Sequence, residues 1–308
     1  MAEKLDGKLV VGISSRALFD LEEENKIFEE KGLEAYAKYQ VEHENDILKP
    51  GTAFPLVKAL HNLNCGEKKL TEIIIMSKNS TTTSMRIFNS IKHYGLDITR
   101  AALVSGMSIA PYLNAFKTDL FLSASEEDVQ EAIDANIAAG IICTGKGFPI
   151  DVDKEIKQIR IAFDGDAVIF SDESEKIFKE QGMVAFAEHE EKNAKKLLPE
   201  GPFAKLLKTI SLVQSQFENI DDIPIRTALV TARNAPAHER VIRTLRAWGV
   251  RIDEAFFLGG IPKNEVLKAF GAHIFFDDQT VHTDTASNHV PAARVPYKTD
   301  GAMHNITK

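Results

Sequence analysis

The feature that narrows the possible folds most is a long-range repeat. Lys26-Ile27-Phe28-Glu29-Glu30-Lys31-Gly32 recurs as Lys176-Ile177-Phe178-Lys179-Glu180-Gln181-Gly182, an offset of 176 − 26 = 150. The same offset aligns Ala17 with Ala167, Gly51 with Gly201 and Lys58 with Lys208. Farther along the offset becomes 249 − 95 = 154. It then aligns Gly95 with Gly249, Gly106 with Gly260, Leu113-Asn114-Ala115-Phe116 with Leu267-Lys268-Ala269-Phe270, and Ala138-Ala139 with Ala292-Ala293. Repeats of roughly 20–50 residues build solenoids. A period near 150 is domain-sized, so the matches read as two tandem copies, residues 1–150 and 151–308. Chance likeness between βα units is the alternative, and collinearity along the whole half argues against it.

Within the second copy, apolar strands alternate with helices. Residues 159–163, 226–230, 254–258 and 273–276 read as strands, with a fifth near 293–296. Helical patterns cover 173–190, 203–216, 237–248 (stopping before Gly249) and 263–270. Short apolar strands separated by helices imply a parallel sheet covered on both faces, a doubly wound, Rossmann-like α/β domain. Such sheets bind ligands beyond the carboxyl ends of their strands, which is where chemistry is to be sought.

Those strand ends carry a coherent set. Asp164-Gly165-Asp166 follows the first strand, Thr231-Ala232-Arg233 the second, Gly259-Gly260 and then Pro262-Lys263 the third, and Asp277-Asp278 the fourth. Clustered carboxylates repel one another, so the set is tenable mainly with a cation among them. Oxygen ligands beside a substrate phosphate suit Mg²⁺. Pro262 fits the first position of a helix whose start, with Lys263, would face an anion. Taken singly, an Asp-x-Asp is often a solvated turn, and Thr231 or Asp277-Asp278 could cap a helix. The conjunction favours a site.

The repeat supplies a control. Asp164 aligns with Ser14, Asp166 with Arg16, Thr231 with Ser77, Lys263 with Ile109, Asp277 with Ser123 and Asp278 with Ala124. Scaffold glycines, alanines and phenylalanines are shared while every acidic residue of the set is missing from the first copy. The second copy is therefore expected to be active and the first degenerate.

Composition excludes other classes. With 45 acidic against 37 basic residues the net charge is −8, a poor balance for nucleic-acid binding. No apolar run approaches the ~20 residues of a membrane helix, and Met1-Ala2-Glu3-Lys4-Leu5-Asp6 has no signal-peptide core. Cys65 and Cys143 make no disulfide framework or zinc spacing. A cytoplasmic globular protein is expected. Gly145-Lys146-Gly147 lacks the spacing of a phosphate loop, His282 and His289 are too isolated to suggest a transition metal, and 144–157 is the expected linker, with a frayed end at 300–308.

Phe163-Asp164-Gly165-Asp166-Ala167-Val168, Val230-Thr231-Ala232-Arg233, the Gly259-to-Lys263 turn and Phe275-Phe276-Asp277-Asp278 resemble the four motifs of the haloacid dehalogenase superfamily of phosphohydrolases. With Ser14-Ser15-Arg16-Ala17-Leu18-Phe19 and Tyr39-Gln40-Val41-Glu42-His43-Glu44-Asn45, the chain resembles the cytosolic type I 5′-nucleotidases over nearly its whole length. The resemblance implies Mg²⁺-dependent hydrolysis of AMP-like nucleoside 5′-monophosphates. Asp164 would be the nucleophile and Asp166 the general acid and then base. The metal would be held by Asp164, the Asp166 carbonyl, and Asp277 or Asp278, while Thr231 and Lys263 offset charge on the phosphoryl oxygens. The motif segment Thr231, Ala232 and Arg233 and Lys263 are the expected substrate contacts, Arg233 either touching the phosphate or pairing with a surface carboxylate. A homo-oligomer is also implied.

The stretch between Asp166 and Thr231 exceeds a single crossover, so residues 172–202 are expected to form a small helical cap. Phe170, Phe178 and Phe186 are candidates to stack a base, although the helical spacing of the last two favours core. Two further readings stand. One is a phosphatase or phosphotransferase acting on another small phosphate ester, because the core motifs do not encode the leaving group. The other is a nucleotide-sensing module whose first half holds an effector at Ser14, Ser15, Arg16 and Ser77.

Overall fold

A computed structural model describes residues 5–64, 69–144, 156–217, 223–301 and 303–304. Cys65, the first four residues, Gly145-Lys146-Gly147, most of the expected linker and the last four residues lie outside the described residues. The described residues form a mixed α/β protein with one mostly parallel sheet of 10 strands. The strands are β1 (Leu9–Ile13), β2 (Thr71–Ser77), β3 (Arg100–Leu103), β4 (Leu120–Ser123), β5 (Ala138–Ile142), β6 (Ile159–Phe163), β7 (Ile225–Thr231), β8 (Glu254–Phe257), β9 (Ile274–Asp277) and β10 (Ala292–Arg294). Their order is β3-β2-β1-β4-β5-β10-β9-β6-β7-β8. Read outward from β5 and from β10, the two halves present the same succession, with β1 and β6 in equivalent central positions.

The reason is visible in the residues. Each central strand is apolar at nearly every position, Leu9-Val10-Val11-Gly12-Ile13 and Ile159-Arg160-Ile161-Ala162-Phe163, as a strand buried on both faces must be. Among the described residues, all pairings between these strands are parallel except one. β5 and β10 run antiparallel, with Ala293 opposite Ile142 and Arg294 opposite Ile141, and this short seam joins the halves edge to edge. At the seam Gly140 leaves no room for a side chain: a Cβ there would lie 2.8 Å from that of Ala293. One apolar cluster continues through both halves, from Leu9 and Phe54 to Phe163, Phe203 and Phe276.

The strands expected in the second half are present, shifted by a residue or two. The helix expected across 173–190 is different. Glu173–Lys192 is interrupted at Gly182 (φ 81°, ψ −178°), and Glu22–Glu42 is interrupted at Gly32 with the same dihedrals. Glycine alone takes that φ without steric cost. Ser174 Oγ reaches Glu190 Oε1 at 2.8 Å, although 16 residues of straight helix would separate them by about 24 Å. The segment is therefore a hairpin of two short helices that doubles back at Gly182. A second difference concerns Pro262. The following helix is Asn264–Phe270 with Lys263 at its N-cap, so Pro262 precedes the helix instead of opening it. The helix Thr280–Ala286 was not foreseen.

Candidate active site

The chain leaves β6 at Asp164, and the next turn, Gly165–Ile169, is irregular: Asp166 keeps extended dihedrals and Ala167 takes φ 59°. A left-handed conformation costs an alanine roughly 1–2 kcal/mol, strain that persists only where the surroundings enforce it. The aligned segment of the first half, Ser15–Leu18, is an ordinary helical turn whose N-cap Ser14 accepts the Ala17 N–H. Replacing Ser-Ser-Arg by Asp-Gly-Asp thus accompanies a different backbone path at the strand end.

Asp164, Asp277 and Asp278 present carboxylate oxygens within 4.8 Å of one another, all three buried. Lys263 Nζ lies 2.8 Å from Asp164 Oδ1 and 2.7 Å from Asp277 Oδ2. One ammonium does not balance three carboxylates. Burial, with the charges of Asp277 and Asp166, pushes the Asp164 carboxyl up to about 7 against the pull of Lys263. Burial and the neighbouring Asp277 and Asp164 hold Asp278 well above the usual carboxylate range. Asp277 goes the other way: despite burial, Lys263 and His282 keep it low. Lys263 is raised in spite of burial by Asp164 and Asp277, and so stays charged. An oxygen-only donor set with this deficit of positive charge fits a hard divalent ion.

Asp166 is not in that cluster. Its two oxygens accept Arg233 Nε at 2.7 Å and Arg233 Nη2 at 2.6 Å, a bidentate pair. Arg233 Nη1 continues to Glu190 Oε2 at 2.5 Å. Arg233 is 3% exposed, so its partners are neither a surface carboxylate nor solvent. Thr231 ends β7 buried, with its hydroxyl accepting the Arg233 backbone N–H at 3.2 Å; it caps no helix. Ala232 beside it is exposed. Asp277 Oδ1 accepts the Gln279 N–H at 2.8 Å, which also steadies the start of the next helix.

Four neighbours escaped the sequence reading. Glu190 holds Arg233, His282 Nδ1 lies 3.2 Å from Asp277 Oδ2, Glu175 accepts Gln279 Nε2 at 3.1 Å, and Tyr297 donates its hydroxyl to Asp278. Glu190 and Glu175 left a trace in the sequence: they align with Gln40 and Asn25 in the first half, further charges present in one copy only. Of the candidate stacking residues, Phe170 is fully buried against Trp248, Phe186 lies 5.2 Å from the Arg233 guanidinium, and Phe178 packs edge-on against Phe186. A cavity of about 480 Å³ adjoins Asp278 and is walled by Tyr297, Lys179 and Arg294 together with Glu126 and Gln130 of the first half.

The 5′-nucleotidase family model matches residues 1–302. The chain belongs to the 5′-nucleotidase family. It is 42% identical over 289 residues to the human protein Cytosolic 5′-nucleotidase 1B, an alignment that takes in 90% of this chain and 47% of that relative. The chain thus spans about half the length of the curated relative it matches. The match covers both halves of the sheet, the strand ends without the carboxylate cluster as well as the acidic ones. Among the described residues, no helix is long and apolar enough to cross a membrane.

Proposed function

We propose that this 5′-nucleotidase family member hydrolyses nucleoside 5′-monophosphates to nucleoside and phosphate. The observation that carries the reading is the buried cluster of Asp164, Asp277, Asp278 and Lys263 at the ends of β6 and β9, with Asp166 two residues along the chain. Asp164 attacks phosphorus, the bond to the 5′-oxygen breaks, and Asp166 delivers a proton to that oxygen. Asp166 then takes a proton from water as the water oxygen bonds to phosphorus and the bond to Asp164 breaks, releasing phosphate and restoring both carboxyl groups. Lys263 and Thr231 face the phosphoryl oxygens, and Asp164, Asp277 and Asp278, with the Asp166 carbonyl, would hold Mg²⁺. When bound, the ion supplies neutralising charge to the phosphoryl group. The relative's name supports a cytosolic setting.

We further infer that the halves arose by duplication, residues 1–150 being a degenerate copy of the catalytic 151–308. The equal strand succession and the paired Gly32 and Gly182 hairpins support this. The hairpin within 172–202 serves as the small cap. The cavity beside Asp278, with walls from both halves, supports seating the nucleoside between them. Exposed Leu33, Met183 and Val184 near the hairpin bends support a homo-oligomer, which light scattering would test.

The decisive assay measures phosphate release from AMP, IMP, CMP, dTMP and glucose 6-phosphate, with Mg²⁺ or excess EDTA, beside Asp164→Asn. The expected outcome is metal-dependent release favouring nucleoside monophosphates and its loss, by at least about 10³-fold, in the variant. A preference for glucose 6-phosphate, or substantial turnover by the variant, would overturn the reading.

A further inference from the structure

We propose that Glu190 is a positioning residue for phosphoryl transfer: from the returning arm of the hairpin it fixes the Arg233 guanidinium, which in turn sets the orientation of the Asp166 carboxylate. The proposal rests on the reading of Asp166 as the proton-transferring group.

The geometry is a chain of alternating charge that runs from the crevice into the hairpin. Asp166 is gripped by Nε and Nη2 of Arg233, at 2.7 and 2.6 Å. The planar fork meets two oxygens at once, so it fixes the rotation of the carboxylate as well as its position. A carboxylate has about four lone-pair sites, and a bidentate partner uses one on each oxygen, which leaves an outward site for a proton. Arg233 alone would not be a fixed platform, since its guanidinium sits at the end of a flexible side chain. Glu190 makes it one. Glu190 Oε2 takes Arg233 Nη1 at 2.5 Å, while Oε1 takes Arg240 Nη1 at 2.9 Å and Ser174 Oγ at 2.8 Å. The Glu190 side chain is fully buried and that of Arg233 nearly so. The Phe186 ring covers the guanidinium at 5.2 Å.

The first half separates the packing part of this arrangement from the chemical part. Arg240 aligns with Arg86 and Thr244 with Ser90, and these keep their jobs. Arg240 Nε donates to the Lys196 carbonyl at 3.1 Å and Arg86 Nε to the Asp46 carbonyl at 2.9 Å. The Leu198 N–H donates to Thr244 Oγ1 at 2.9 Å and the Leu48 N–H to Ser90 Oγ at 3.0 Å. By contrast, Asp166 aligns with Arg16, Arg233 with Asn79 and Glu190 with Gln40. All three charges are absent from the half that lacks the carboxylate cluster, whose hairpin bends at the same place but pairs Arg86 with Glu24, the residue aligned with Ser174. What varies with the cluster is the path from Glu190 to Asp166; what stays is the framework around it.

The test is a double variant, Glu190→Gln with Arg233→Asn, which installs the pair the first half already carries and removes one buried charge of each sign; Arg240 keeps Glu173 at 3.6 Å, while Asp166 loses its clamp. It is compared with wild type and with Glu190→Asp by steady-state kinetics on AMP with Mg²⁺ and by thermal melting. Asp166 acts on the proton of the leaving or attacking oxygen, so its misplacement lowers kcat and spares KM. The expected result is a melting temperature near that of wild type, KM within about threefold, and kcat reduced by on the order of 10²-fold. Glu190→Asp keeps the charge on a shorter arm and is expected to retain more of kcat than the double variant. A folded double variant with kcat within about threefold of wild type overturns the proposal. So does a double variant that fails to fold while Glu190→Asp turns over at the wild-type rate. Failure of wild type to release phosphate from AMP is a different outcome and refutes the function reading itself.

Discussion

Asp164 shows how burial writes function into a single side chain. An ordinary aspartate titrates near ~3.9, whereas burial, Asp277 and Asp166 move this one up to about 7. The sign of the consequence follows. Between those values the folded chain binds a proton that the unfolded chain has released, so metal-free stability falls as pH rises through that window. Asp277, held low by Lys263 and His282 in spite of burial, titrates below it. Mg²⁺ requires the deprotonated carboxylates, so its affinity moves the opposite way and weakens by up to about tenfold per pH unit below 7 for each proton displaced. Melting curves from pH 5 to 8 check both. With EDTA the melting temperature is expected to drop toward high pH, and with Mg²⁺ the added protection is expected to grow toward high pH. A pH-independent Mg²⁺ effect would contradict the assignment. Asp164 and the Asp277-Asp278 pair were legible as a set because they sit at the ends of two apolar strands, β6 and β9. The partner of Arg233 was not, since Glu190 lies 43 residues earlier on a different element.

At the level of elements, two glycines in the second half set where the site's surroundings sit. Gly182 permits the reversal that brings Glu190 back over Ser174. Gly201 answers a different need: a Cβ there would fall 2.2 Å from the Phe170 carbonyl oxygen, inside the strand-like bridge that pins the turn after Asp166 to Glu200. Gly182→Ala is expected to cost about 1–2 kcal/mol from its positive φ. Gly201→Ala is expected to cost about 2–3 kcal/mol, because backbone and not a pliable side chain must move. Urea denaturation measures both, and equal effects would show that the close approach at Phe170 is relieved cheaply. Strand positions were readable to within a residue or two because continuous apolar runs announce strands buried on both faces. The hairpin was not, since a glycine inside a helical pattern is compatible with an uninterrupted helix; the closure of Ser174 onto Glu190 decides otherwise.

For the molecule as a whole, the seam between β5 and β10 has the longest reach. It carries few backbone pairings, yet it turns two half-sheets into one and lets a single apolar cluster run from Leu9 to Val295. A shared core predisposes to cooperative unfolding. Calorimetry is expected to show one transition, and two resolved transitions would mean that the halves are energetically separate. Gly140→Leu is expected to destabilise by about 3 kcal/mol or more, since a side chain there meets Ala293 and the Phe276 ring. It should also lower turnover, because Phe276 directly precedes Asp277.

The amino-acid order alone was enough for the repeat, the alternation of strand and helix, and the Asp164, Lys263, Asp277 and Asp278 core of the acidic crevice. Each of these depends on local periodicity or on position along one strand, and both are properties of the chain. The edge-to-edge union of the halves, the doubling back at Gly182, the left-handed Ala167 and the capture of Asp166 by Arg233 and Glu190 belong to the folded state. They arise from contacts between segments far apart in sequence, where packing and the pairing of buried charge choose among conformations that local preference leaves open.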